Sequence, residues 1–154
     1  MKSPFIGRSL PSCVGRTDEG TPVSLLDFRG RALAVFPGGE EDGSLARAVA
    51  RSANKFLALE VSAIVISTRS EDDLAALRSR DRLPMVLLSD FSRDIHRFFE
   101  CPEEGFCPAF LADEEGHIAA AIRPSAPEAR VRAVLEAASR LRQGKPANGQ
   151  DPDD

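Results

Sequence analysis

Three features of this 154-residue chain predict a single α/β domain, a central mixed β-sheet flanked by helices with a β-hairpin at the N-terminal side. Two short apolar runs, RALAVF at 31–36 and VSAIVIST at 61–68, have the continuous hydrophobicity of strands buried on both faces. Between and after them, apolar residues recur three and four apart, the period of a helix lying on a sheet. Late in the chain, AFLAD and HIAAAI flank the turn Glu114-Glu115-Gly116, a pattern that predicts an antiparallel hairpin.

The first thirty residues contain LPSCVGRTDEGTPVSLLDFRG, where Asp18-Glu19-Gly20 reads as a turn between two extended pieces. Pro22 has no N–H to give a ladder, which restricts the second piece to a sheet edge. RALAVF is stopped by Pro37-Gly38-Gly39. From Ser44, the residues Leu45, Ala48, Val49, Ser52, Ala53, Phe56 and Leu57 mark one apolar helix face, with Arg47, Arg51 and Lys55 elsewhere and Ser44 as the expected N-cap.

VSAIVIST leads into the acid-rich helix SEDDLAALRSR, which Ser70 can cap. Leu83 to Leu88 reads as a third strand, and SDFSRDIHRFFE as a helix capped by Ser89 or Asp90. Residues 127–142 start with Pro127 at an early helical position and align Val131, Val134, Leu135, Ala138 and Leu141 in one stripe. Residues 1–142 are therefore expected to form one domain. The remainder, 143–154, QGKPANGQDPDD, has too little apolar surface to offset its ordering entropy and is expected to be a disordered tail.

Charge narrows the function classes. The net charge is −4 and the pI about 5.3, and the twenty basic residues are scattered among twenty-four acids. No basic block exists to hold a phosphate backbone, so nucleic acid is not an expected partner. No apolar run approaches the ~20 residues that cross a bilayer, and the N-terminus lacks a segment of signal-peptide length, so the expectation is a cytoplasmic protein without a membrane partner. Three cysteines, Cys13, Cys101 and Cys107, are too few for a disulfide scaffold.

The element order, a βαβ half followed by a ββα half with a proline before the fourth core strand, resembles the thioredoxin-like fold. Local stretches sharpen the likeness. DFRGRALAVFP resembles the peroxiredoxin segment in which a Phe-Arg-Gly-Lys turn enters the strand before the active-site loop. LPMVLLSDFSRDIHRFFE resembles that family's Leu-Pro-Phe-x-Leu-Leu-Ser-Asp segment, and CPAFLADEEGHI its Phe-x-x-Asp-x-x-Gly-x-Ile hairpin. Together they cover about residues 5 to 142 and resemble the alkyl hydroperoxide reductase and thiol-specific antioxidant group.

The resemblance implies thiol peroxidase chemistry. In that family the loop after the strand reads Pro-x-x-x-Thr-x-x-Cys, with the cysteine at a helix N-terminus where backbone N–H groups favour a thiolate. Aligned without gaps, the proline is Pro37, the threonine position is Glu41 and the cysteine position is Ser44. A hydroxyl has no oxidation ladder comparable to that of sulfur, so Ser44 cannot be oxidised as the family's nucleophile is. The family's active-site Arg aligns with Cys107. The expectation is a degenerate pocket formed by Pro37, Gly38, Glu41, Ser44 and Pro108.

The other candidates stay open at this level. Glu40, Glu41 and Asp42 could share a hard cation, but acids near a helix N-terminus are ordinarily solvated. Cys107-Pro108 corresponds to the place where thioredoxin-like folds carry a cis proline beside the active-site loop, which makes Cys107 a candidate redox thiol. Cys101 is its possible partner across Pro102-Glu103-Glu104-Gly105-Phe106. Glu100, Glu103 and Glu104 disfavour thiolates at both, which favours unpaired structural cysteines. Cys13 is expected to be buried.

His96, five residues before Cys101, matches no zinc-ligand spacing, and His117 is expected to face solvent. No metal or other cofactor is expected. A hydrolase at Ser44 lacks the Gly-x-Ser-x-Gly elbow. Two functions remain: a binding or assembly module without peroxidase activity, which relatives' habits would make a homodimer, or a thiol-dependent oxidoreductase, peroxidase or disulfide exchanger, using Cys101 and Cys107.

Overall fold

A computed structural model describes residues 3–38, 43–103 and 106–147. The strands are β1 (Val14–Thr17), β2 (Pro22–Ser24), β3 (Ala32–Pro37), β4 (Val61–Ser67), β5 (Val86–Ser89), β6 (Ala109–Ala112) and β7 (Ile118–Ile122). The helices are α1 (Ser44–Arg51), α2 (Ala53–Ala58), α3 (Glu71–Asp81), α4 (Asp94–Phe98) and α5 (Pro127–Arg142), and one turn of 3-10 helix spans Leu25–Phe28. All strands join one mixed sheet in the order β2-β1-β5-β4-β3-β6-β7.

The apolar runs take the middle of that sheet. β3 pairs with β4 and β4 with β5 in parallel, while β6 runs antiparallel to β3. Buried side chains alternate between two layers. Ala34 and Phe36 face α1, α2, α3 and α5 on one side; Leu33 and Val35 face α4 and the N-terminal segment on the other. Period-2 alternation with both faces covered is why these strands read as continuous hydrophobic runs. The hairpin of β1 and β2 turns at Asp18-Glu19-Gly20, and β2, with Pro22, is the sheet's edge.

Several boundaries differ from expectation. The N-cap of α1 is Gly43, in the left-handed region at φ 76°, and Ser44 is the first helical residue. A Cβ at Gly43 would stand 2.7 Å from Leu77 Cδ1, so a larger residue there would have to shift the Leu77 side chain as well as adopt the left-handed backbone. The expected long helix breaks at Ser52 into α1 and α2, and Leu57 is 65% exposed instead of on the apolar face. β5 starts at Val86, later than the expected Leu83, after the N–H-less Pro84.

Helix α4 is shorter than its sequence segment and starts at Asp94, with Arg93 in the left-handed region as N-cap. Asp90 nevertheless reaches its first turn. Ser70 caps α3 through Asp73 N, and Pro127 opens α5. Beyond α5, Ala147 is buried against the core and the Arg140 side chain donates to Pro146 O. No helix among the described residues is long and apolar enough to cross a membrane.

Candidate functional site

The carboxyl ends of β3, β4 and β5 and the entrance to β6 make one rim of the sheet, and the residues with chemistry collect there. Strand geometry sets the order along it. Asp90 N donates to Ser67 O, and Gly38 N donates to Ile66 O, so Asp90, the end of β4 and Gly38 succeed one another across the rim. β6 pairs Phe110 with Val35, Leu111 with Ala34 and Ala112 with Leu33. Pro108 and Cys107 lie just before β6, at its rim end. Neighbouring strands lie ~4.8 Å apart, so the whole row spans ~15 Å.

At the α1 end of the rim, Ser44 is half-buried in the first helical turn, the position that the peroxiredoxin alignment assigns to the oxidisable cysteine. No sulfur occupies it. Gly38, Gly43, Leu45, Ser67, Arg69 and Leu74 border a void of about 20 Å³ there, about the room one water requires. Glu41 of the expected pocket, with Glu40 and Asp42 of the suggested cation cluster, lies outside the described residues.

At the β6 end the sequence expectation needs correction. Cys101 and Cys107 are not unpaired: they form a disulfide, with Cα atoms 5.1 Å apart, well within the usual range. The flanking acids do not prevent this, because a disulfide carries no charge to destabilise. Cys107 is 4% exposed and Cys101 half-buried. Cys101 follows α4 directly and its N–H donates to His96 O (2.9 Å). The peptide bond of Pro108 is trans, since none among the described residues is cis. Phe106, within the bridged loop, lies under the Arg130 guanidinium at 4.9 Å. Arg130 is itself 1% exposed and donates to Pro124 O and Ser125 O.

Between the two ends lies a pair that sequence reasoning missed. Asp90, 1% exposed, accepts the N–H groups of Ile95 (3.1 Å) and His96 (2.7 Å), which satisfies the first turn of α4. Its Oδ2 also stands 2.6 Å from Nδ1 of His96, itself 4% exposed. A carboxylate can only accept, so Nδ1 carries a proton and donates. On the far side of the ring, Nε2 faces Gly38 O at 3.4 Å, beyond ordinary N–H···O length. The available signal was the spacing Asp90 to His96 across a helix start, but that spacing matches a simple cap as well.

Cys13 is a free, half-buried thiol ahead of β1. Burial pushes its pKa up, and the charges of Asp90 and then Asp94 add to the effect, which favours the protonated thiol. His117 is half-exposed in the β6–β7 turn, within 4.8 Å, ligand atom to ligand atom, of Asp113 and Glu115. That cluster is at the opposite end of the sheet from the rim.

The parallel β3-β4-β5 core, the antiparallel β6-β7 hairpin and the helices on both faces define a thioredoxin-fold protein. No family model matches the chain. It is 30% identical over 104 residues to the chloroplastic peroxiredoxin Q of Sedum lineare, an alignment covering 65% of this chain and 56% of that protein's length. The chain thus spans little more than half of that curated relative. Among solved structures, peroxiredoxin Q of Xanthomonas campestris superposes with a TM-score of 0.78 at 17% identity, over 86% of this chain and 96% of that one. The peroxidoxin BcpB of Mycobacterium tuberculosis gives 0.76 at 20% identity, over 89% and 97%. The chain has the thioredoxin fold and is similar to peroxiredoxins in sequence and in structure.

Proposed function

We propose that this chain is a thiol-dependent oxidoreductase that exchanges electrons through Cys101 and Cys107 and does not use the helix-start position at Ser44. One observation carries the reading: the two cysteines are joined at the rim where the fold keeps its chemistry, while the first turn of α1 has an oxygen. The exposure difference sets direction, because an incoming thiolate reaches half-buried Cys101 more readily than Cys107. A dithiol co-reactant supplies two electrons and two protons, leaving as its own disulfide while the pair becomes two thiols.

The test follows reduction of the purified protein by dithiothreitol, then reoxidation by hydrogen peroxide or a small disulfide. Wild type should cycle faster than the free reductant consumes oxidant, Cys107→Ser should fall to that background, and Ser44→Ala should behave as wild type. Equal rates in wild type and Cys107→Ser remove the oxidoreductase reading. The second reading would then stand, a binding or assembly module, favoured by Phe91, which is 76% exposed beside a cleft of about 520 Å³ with Val14 and Arg16.

A further inference from the structure

We infer that Phe106 is a positioning residue for the redox pair: seated over the Arg130 guanidinium, it keeps Cys107 facing Cys101 once the disulfide is reduced and thereby sets the redox equilibrium. The inference rests on the oxidoreductase reading above. Phe106 directly precedes Cys107 in the chain, so whatever fixes its ring also restrains the backbone from which the sulfur projects. The ring centre lies 4.9 Å from Arg130 Cζ. Arg130 is carried by α5, which packs on the sheet face of Ala34 and Phe36, whereas Cys107 is buried in the opposite layer with Leu33 and Val35. Residues 106 and 107 are thus gripped from the two faces of the sheet.

The seat under the ring is rigid. Arg130 is 1% exposed, its Nε donates to Pro124 O (2.9 Å) and its Nη2 to Ser125 O (2.6 Å), so backbone just before α5 sets the guanidinium plane. A planar cation already fixed in this way offers the aromatic face a contact that costs little further ordering. Cys101 is held by other means: its N–H donates to His96 O at the end of α4, and its side chain packs against the cluster that contains Ile95 and Phe99. Neither fastening uses sulfur. Five residues, 102–106, run between the cysteines, and the ring of Phe106 ties the last of them to α5.

In the exchange, a thiolate of the dithiol attacks Cys101 Sγ, and the Cys101–Cys107 bond breaks with its electron pair on Cys107 Sγ. The reductant's second thiolate then attacks its own bound sulfur and expels Cys101. The reductant leaves as a cyclic disulfide, and both protein sulfurs take up protons and become thiols, a two-electron reduction. In the oxidised protein the covalent bond limits the loop with or without the ring contact. In the reduced protein the ring contact takes over that task, so deleting it lets the loop spread over more conformations and stabilises the dithiol form alone. Opening starts at Cys101 Sγ and leaves the contact untouched, whereas closing requires Cys107 to come back within bonding range. The ring therefore acts on the closing rate.

The deciding measurement poises the full chain at neutral pH in graded ratios of reduced to oxidised dithiothreitol, for wild type, Phe106→Ala and Phe106→Tyr. Samples are quenched in acid, and thiols are counted by labelling the unfolded chain with N-ethylmaleimide. Time courses give the opening and closing rates separately, and far-ultraviolet circular dichroism confirms that each variant is folded. Phe106→Ala should shift the equilibrium roughly three- to tenfold toward the dithiol, with closing slowed by the same factor and opening within about twofold of wild type. Phe106→Tyr keeps a ring face over the cation and should match wild type. A folded Phe106→Ala protein with the wild-type equilibrium overturns the assignment, as does a shift carried by the opening rate, which would make the ring a shield for Cys101. If wild type and Phe106→Ala cycle with dithiol and oxidant alike, only this inference falls; a disulfide that dithiothreitol cannot open removes the reading beneath it as well.

Discussion

The two ends of the rim were built differently on one frame. At the α1 end the helix start is intact: a left-handed Gly43 delivers the chain into α1, and the residue in the first turn is Ser44. At the β6 end, the position that aligns with the peroxiredoxin arginine is a cysteine, bonded to another six residues earlier. The two ends therefore offer different chemistry on a shared frame, an oxygen at one and a bonded pair of sulfurs at the other. Backbone N–H groups at a helix start favour an anion whatever residue stands there, but only sulfur can be oxidised in that place.

The largest expected contrast is in folding stability. Cys107→Ser removes a cross-link closing a short loop and should lower the urea-derived unfolding free energy by about 2 kcal/mol, whereas Ser44→Ala should cost less than about 1 kcal/mol. Equal losses would erase the distinction between the two ends. Gly43→Ala comes next, because it combines φ 76° with a Cβ 2.7 Å from Leu77 Cδ1. It should cost about 1 to 2 kcal/mol and leave dithiol turnover unchanged, which sharpens the claim that the α1 end supplies frame and not chemistry.

The smallest effect is a control remote from both ends. Arg78 holds Asp18 with two hydrogen bonds, at 2.6 and 3.0 Å, joining α3 to the β1–β2 turn. Those bonds hold the Asp18 carboxyl below its usual range. Because the folded pKa is depressed, the stabilisation is complete above the unfolded value near 4, and it is lost as pH falls through the folded one. Asp18→Asn should therefore lower stability by about 1 kcal/mol at pH 6 and flatten its decline toward pH 3, in the oxidised and reduced protein alike.

How much of this the sequence disclosed depends on the kind of signal. Central strands, the edge role of Pro22 and the stripe on α5 follow from hydrophobic period and proline chemistry, which are local. The break at Ser52 and the exposure of Leu57 were not legible, because the apolar spacing continues through the break. Ser44 was legible through alignment with a family pattern. The disulfide was visible only as a possibility, since its formation depends on how the chain returns from α4 to β6. The Asp90–His96 pair was hidden for the same reason: its far partner is Gly38, 58 residues away.

The contact between Arg130 and Phe106 bears on the reduced form of the protein. Arg130 is anchored to the carbonyls of Pro124 and Ser125, and its cation sits over the ring of a residue inside the bridged loop. That fastening does not involve sulfur, so opening the bond removes none of its own atoms. The freed thiols then remain at high local concentration, and re-closure is a unimolecular event whose rate does not vary with how dilute the protein is.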